Sequence, residues 1–220
     1  NYQWNNSNFY ANFGGIPRNV YLHVTPRLYQ TLPLYSNLQT TGTYIYAREI
    51  NVSKRSAVVF AETEVRNELA EAKEVTLDVV IEDLDGKVIK TFSGKPTRLA
   101  AGETNILKAS ARVNDLHFWS WGYGYLYTVS TVISTKAEGK QAAITDVVKT
   151  RTGFRKTRFA NGLFWLNDRV LQIKGYAERS TNEWPSVGQS VPAWLSDYSN
   201  KLMVESNGNT VRWMHVTPWK

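Results

Sequence analysis

Residues 74–93 read EVTLDVVIEDLDGKVIKTFS. Val75, Leu77, Val79 and Ile81 alternate with other residues, and a second alternating run follows Asp85-Gly86. Side chains on a strand point to opposite faces in turn, so this period of two predicts half-buried strands over Glu74 to Asp83 and Lys87 to Ser93. Asp-Gly between two such runs supplies the backbone torsions of a tight hairpin.

The same pattern extends outward in both directions. Upstream, Thr43 to Asn51 and Ala57 to Arg66 are short and rich in β-branched or aromatic residues; downstream, Thr104 to Val113, Leu126 to Thr135 and Ala142 to Thr150 repeat the spacing. Seven strands over 43–150 predict an antiparallel β-sandwich of immunoglobulin type. The run ETEVRNELAEAK at 62–73 suits a helix by propensity, but Val58, Phe60, Thr63 and Val65 lead into it at strand spacing, which favours a strand followed by a loop. Nearer the start, IPRNVYLHVTPRLY at 16–29 reads as another strand, entered through the Gly14-Gly15 turn.

After Arg155 the pattern changes. FANGLFWLNDRVLQIKG at 159–175 holds two apolar runs around Asn167-Asp168, predicting a hairpin that feeds a buried strand ending at Gly175. A polar loop from Tyr176 to Ser190 follows. Pro192 then marks a helix start, and Trp194, Leu195, Tyr198, Leu202 and Met203 recur at helical spacing up to Ser206. Gly208 is the expected stop, and Asn209 to Val216 returns to strand. Strand, loop, helix and strand form a βαβ unit with parallel strands. Such strands need cover on both faces, so the sequence is expected to stop inside a larger α/β domain; a full (β/α) barrel takes about 250 residues.

Composition excludes several classes. The chain of 220 residues has no cysteine, which removes disulfides, thiolate chemistry and cysteine zinc sites. No stretch approaches the ~20 apolar residues of a membrane helix. Asn1-Tyr2-Gln3-Trp4 carries no signal-peptide pattern, so the native start is expected upstream. The net charge of +7 is spread without a basic run, which reads as a solvated surface rather than a nucleic-acid interface. His23 and His117 stand alone, and neither a phosphate loop nor a GxSxG elbow is present; no metal or cofactor is expected. The 8 Trp, 12 Tyr and 8 Phe fit β-rich cores as well as sugar stacking.

Several local patterns line up, in order, with one family. Asn12-Phe13-Gly14-Gly15-Ile16-Pro17-Arg18-Asn19-Val20-Tyr21-Leu22 resembles the GGIxRxVxL segment near the end of the sugar-binding jelly roll of family 2 glycoside hydrolases. Leu116-His117-Phe118-Trp119, Leu126-Tyr127 and Gly153-Phe154-Arg155 resemble the LW…PxLY…GFR series that closes that family's immunoglobulin-like domain, with Gly124 and Tyr125 in place of the usual proline spacing. Phe164-Trp165-Leu166-Asn167-Asp168 through Lys174-Gly175 resembles its FxLNGxxVxLKG hairpin and first barrel strand. Asn209-Thr210-Val211-Arg212-Trp213-Met214-His215 is similar to its NxVRxxH signature, followed here by His215-Val216-Thr217-Pro218 rather than HYP. The resemblance implies residues 1–36 as the tail of a jelly roll, 37–152 as the immunoglobulin-like sandwich and 153–220 as the start of the catalytic barrel.

It also implies a parent that hydrolyses β-linked glycans with retention, using two glutamates that this chain does not contain; alone, the chain is expected to be inactive. Glu183 follows Asn182 as an acid/base glutamate would, but it falls in the first βα loop, too early in a barrel for that role. Arg212, His215 and Trp184 are the expected substrate-binding residues. Arg212 and His215 fall at the C-terminal end of a barrel strand, where such active sites are built, and an arginine there can hold a carboxylate ionised. A buried arginine paired with a structural carboxylate, and a histidine satisfied by its neighbours, are the other readings. Trp213 and Trp219 lie beside them. The family's usual first-loop histidine is absent from Tyr176 to Trp184, where Glu178 and Arg179 stand instead, which leaves the sugar open. Carbohydrate is the expected partner, without nucleic acid or membrane insertion; a homo-oligomeric parent and a periplasmic or secreted home are family-level expectations. The alternative is a non-catalytic immunoglobulin-like carbohydrate-binding or adhesion module whose C-terminal residues fold back on the sandwich.

Overall fold

The computed structural model describes residues 20–33, 39–135, 142–178 and 192–213. It divides into two compact units, Val24–Val170, and Leu171–Lys220 together with Asn1–His23.

The first unit is a sandwich of two antiparallel sheets. In one, β1 (Leu28–Gln30) and β2 (Thr43–Asn51) lie end to end along one edge of β3 (Ser56–Asn67). The second sheet centres on β4 (Lys73–Glu82), which pairs with β5 (Val88–Ser93) and β6 (Thr97–Leu99) on one edge. β7 (Thr104–Val113) returns to the first sheet on the far edge of β3. β8 (Tyr127–Thr135) takes the far edge of β4, and β9 (Ala143–Thr152) follows it. The alternation seen in the sequence becomes the core: Val75, Leu77, Val79 and Ile81 of β4 join Ala57, Val59, Ala61 and Val65 of β3 in one buried cluster. Each buried Val, Leu or Ile contributes about 1.5–3 kcal/mol over its exposed state.

Two buried amides brace this sandwich. Gln30, 4 % exposed, donates from Nε2 to the Thr131 carbonyl at 3.0 Å, and its Oε1 accepts from Thr63 Oγ1 at 3.0 Å, so β1 is tied to both sheets. Asn67, with no exposed surface, donates from Nδ2 to the carbonyls of Glu71 (3.0 Å) and Ala100 (2.9 Å), and its Oδ1 accepts from Leu69 N at 3.0 Å. It thereby fixes the exits of β3 and β6. Buried polar groups persist only when so satisfied.

Beyond the sandwich, β10 (Thr157–Ala160), β11 (Leu163–Leu166) and β12 (Arg169–Val170) form a small antiparallel sheet. Both of its turns carry two consecutive left-handed residues, Asn161-Gly162 (φ 52° and 72°) and Asn167-Asp168 (φ 48° and 65°), the torsions that match strand twist in two-residue hairpins.

The second unit contains β13 (Gly175–Glu178), α1 (Ala193–Glu205) and β14 (Thr210–Trp213), with β13 and β14 parallel. Pro192 takes the N-cap position of α1. At the other end Asn207 is left-handed (φ 63°), Gly208 N donates to Met203 O at 2.8 Å and Asn207 N to Val204 O at 3.0 Å. This is a Schellman stop in which Asn207, not Gly208, takes the left-handed position.

Three expectations need correction. Of the strand foreseen over 16–29, the described part is coil from Val20 to Pro26, where Val20, Tyr21, Leu22 and Val24 are exposed, and among the described residues pairing begins at Leu28–Gln30. The strand foreseen as ending at Gly175 begins there: 171–174 form no ladder, and Gly175 enters the parallel pair. Consequently Tyr176–Glu178 belong to a strand rather than a loop, the rest of that loop lying outside the described residues. β6 was not foreseen, being three residues long.

Candidate functional site

The parallel pair holds the one expected substrate-binding residue whose side chain is described. Gly175 opposes Thr210, Tyr176 opposes Val211, Ala177 opposes Arg212 and Glu178 opposes Trp213. The first of these steps demands glycine: a Cβ at residue 175 would collide with the Thr210 carbonyl. Asn209 then sets the register. Its Oδ1 accepts from Lys174 N at 2.9 Å, its Nδ2 donates to Gln172 O at 2.9 Å, and its own N–H donates to Lys174 O at 2.7 Å. One side chain thus holds the approach to β13 against the start of β14, and Arg212 arrives three residues on, exposed, towards the C-terminal end of the strand. His215, Trp184, Glu183, Asn182, Arg179 and Trp219 lie outside the described residues.

The motif residues at the end of the sandwich come together differently. Tyr127 at the start of β8 is 1 % exposed and accepts on Oη from the His117 N–H at 2.7 Å, the arrangement of a tyrosine corner. Burial pushes its phenol up to about 12, while donation from His117 N pulls the other way. Phe154 stacks on Tyr127 at 5.5 Å and accepts on its carbonyl from Trp119 N at 2.9 Å. Gly153 has no room for a Cβ, which would lie 2.8 Å from Trp119 Cβ, and the Arg155 guanidinium sits 5.2 Å from the Trp119 ring centroid. Asn167, 8 % exposed, donates from Nδ2 to Trp119 O at 2.8 Å and accepts on Oδ1 from Lys156 N at 3.1 Å. These residues lock the loop before β8 to the strand leaving β9 and to the hairpin beyond. Their part is architectural.

His117 is equally committed. A guanidinium can only donate, so Arg55 Nη2 at 3.0 Å makes Nε2 the acceptor, and Nδ1–H donates to Tyr123 Oη at 2.8 Å. The ring stacks on Tyr125 at 4.6 Å. His23 is exposed, and among the described residues no cluster of three His, Asp or Glu could hold a metal. No described helix is long and apolar enough to cross a membrane.

Sequence reasoning missed Asn209 as a clamp and Gln30 and Asn67 as braces. The signal for Asn67 was present, since asparagine is depleted in strands and here closes one.

An antiparallel sandwich followed by a parallel βαβ unit defines the class. The family model of Glycosyl hydrolases family 2 matches residues 43–155, and the chain belongs to that family. It is 37 % identical over 213 residues to a β-glucuronidase of Formosa agariphila, covering 96 % of this chain and 21 % of the relative. A β-galactosidase of Halalkalibacterium halodurans is 24 % identical over 212 residues, again 96 % of this chain and 18 % of the relative. Among solved structures, a β-glucuronidase from glycoside hydrolase family 2 matches with a TM-score of 0.74 at 34 % identity, over 86 % of this chain and 19 % of that one. The chain spans about a fifth of the length of these relatives.

Proposed function

We propose that this chain is an internal section of a retaining β-glycoside hydrolase, with residues 1–36 ending a sugar-binding jelly roll, 37–152 acting as the immunoglobulin-like spacer and 153–220 opening the catalytic barrel. The observation that carries the reading is the β13–α1–β14 unit. Two parallel strands are joined by a helix of which only Leu195 and Met203 are buried, while Trp194, Tyr198, Leu202 and Val204 stand exposed, as expected of a helix whose remaining neighbours are other barrel elements.

In this reading Arg212, with His215 and Trp184, forms part of the substrate pocket. The parent would cleave by double displacement between two carboxyl groups about 5–5.5 Å apart, one protonating the leaving oxygen and the other attacking the anomeric carbon. Arg212 would keep the attacking carboxylate ionised through charge-assisted hydrogen bonds. The 37 % identity to a β-glucuronidase makes aryl β-glucuronides the first substrates to test, ahead of β-galactosides.

The test compares hydrolysis of a panel of aryl β-glycosides by this chain and by a parent extended through the barrel. Turnover by the extended protein alone supports the reading and identifies the sugar. Turnover by this chain would return attention to Glu183, and silence from both would favour a binding role.

A further inference from the structure

The outward face of the β2–β3–β7 sheet is unlike an ordinary solvated surface. Register places Tyr44, Glu62 and Lys108 in one cross-strand row, Tyr46, Phe60 and Ser110 in the next, and Arg48, Val58 and Arg112 in the third. Tyr46 and Phe60 stack with ring planes 3° apart and centroids 5.1 Å apart, and Tyr44 continues the stack at 5.0 Å. Beside Phe60 the third strand offers only Ser110, so the row of rings ends in a hollow. The far wall is the link from β5 to β6: Gly94 packs on the Lys108 carbonyl, leaving no room for a Cβ, and Lys95 and Thr97 rim the opening. The resulting cleft is about 740 Å³.

Its charge is lopsided. Arg48, Lys95 and Lys108 line it against one carboxylate, Glu62. Glu62 already accepts from Tyr46 Oη at 2.8 Å and pairs with Lys108 at 3.5 Å. Arg48 lies over the Tyr46 and Phe60 rings at 5.2 and 5.6 Å; it and Lys95 have no ion-pair partner among the described residues. Aromatic faces suit the C–H faces of pyranose rings, and uncompensated cations beside them suit sugar carboxylates. We infer that this cleft on the spacer domain binds an acidic oligosaccharide, with Phe60 and Tyr46 against a pyranose ring and Arg48 and Lys95 on a uronate carboxylate. The inference rests on the reading of the parent as a glycan hydrolase, and adds to it a holding site remote in sequence from the barrel.

Calorimetric titration of the full chain at low salt tests it, using a β-linked glucuronic acid tetrasaccharide, cellotetraose and a short single-stranded oligonucleotide. The acidic tetrasaccharide should bind at least about tenfold more tightly than cellotetraose, with affinity falling as salt screens the cations. Lys95→Glu, at an exposed position, and Ser110→Tyr, which fills the hollow, should each weaken it about tenfold, and unchanged circular dichroism verifies their fold. Equal binding of the neutral sugar, no binding at about 10 mM, indifference to both substitutions, or tighter binding of the oligonucleotide would overturn it. Because the titration needs no turnover, its failure leaves the hydrolysis test of the parent intact, and the reverse also holds.

Discussion

The side-chain amide of Asn167 donates to the carbonyl oxygen of Trp119 at 2.8 Å, joining the hairpin beyond the sandwich to the loop that enters β8. Asn167 also accepts from Lys156 N and occupies left-handed backbone space, a conformation asparagine tolerates better than most residues. Asn167→Ala should therefore destabilise the sandwich unit by about 2–3 kcal/mol, through two lost hydrogen bonds and added backbone strain. Urea unfolding followed by tryptophan fluorescence measures this, and a change below about 0.5 kcal/mol would contradict it.

Asn67 makes a sharper case because the residue itself has no exposed surface. Asn67→Leu keeps the approximate volume but strands the carbonyls of Glu71 and Ala100 and the N–H of Leu69. A loss of about 3 kcal/mol is expected from unsatisfied buried groups, read as a lower midpoint at unchanged m-value.

Asn207→Gly should act in the opposite direction. Asn207 holds φ 63° at the end of α1, where glycine pays no Cβ penalty. A gain of about 0.5–1 kcal/mol follows, partly offset by the extra freedom glycine has when unfolded. Hydrogen exchange at Gly208 N, the donor to Met203 O, should slow accordingly.

Tyr127 gives the protein an alkaline limit. Its folded value of about 12 lies above the ordinary 10.0, so the neutral phenol is favoured in the fold. Below pH 10 both states hold the proton and stability is unaffected by this group; between pH 10 and about 12 the unfolded chain ionises first, and stability falls as pH rises. The two-unit difference corresponds to about 2–3 kcal/mol. In Tyr127→Phe this alkaline loss should vanish, at a cost of about 1 kcal/mol at neutral pH for the His117 N–H left without its acceptor.

Arg212→Ala should leave the stability of this chain unchanged, because the side chain is exposed. In the extended parent it should lower kcat/KM by about 2 kcal/mol, roughly thirtyfold, for loss of a charge-assisted contact. Activity within about twofold of the parent would remove Arg212 from the pocket.

Seven of the nine sandwich strands were legible, most plainly β3 and β4, where buried residues alternate with less buried ones and write a period of two into Val75, Leu77, Val79 and Ile81 and their counterparts. Residues 20–26 were misread for the same reason: alternation records a side chain's preference, but a strand also needs ladder hydrogen bonds, and among the described residues 20–26 form none. The boundary at Gly175 was displaced because a run of apolar residues carries no mark of where ladder hydrogen bonds begin; that is decided by Asn209, thirty-four positions along the chain. Arg212, singled out through motif resemblance, sits on the strand foreseen. The cleft beside Phe60 was invisible, since it depends on which residue of β7 lands opposite, and Ser110 has no signature of its own.

Among the described residues β7 pairs only with β3, and an open edge can recruit a strand from another molecule. The backbone at Gly94 lies across the Lys108 carbonyl, so part of that edge is covered by the chain's own link between β5 and β6. A side chain at 94 would lift this cover, and the first symptom would be self-association through strand pairing, seen by light scattering before any loss of the sandwich core. Glycine at this position thus guards solubility as well as shape.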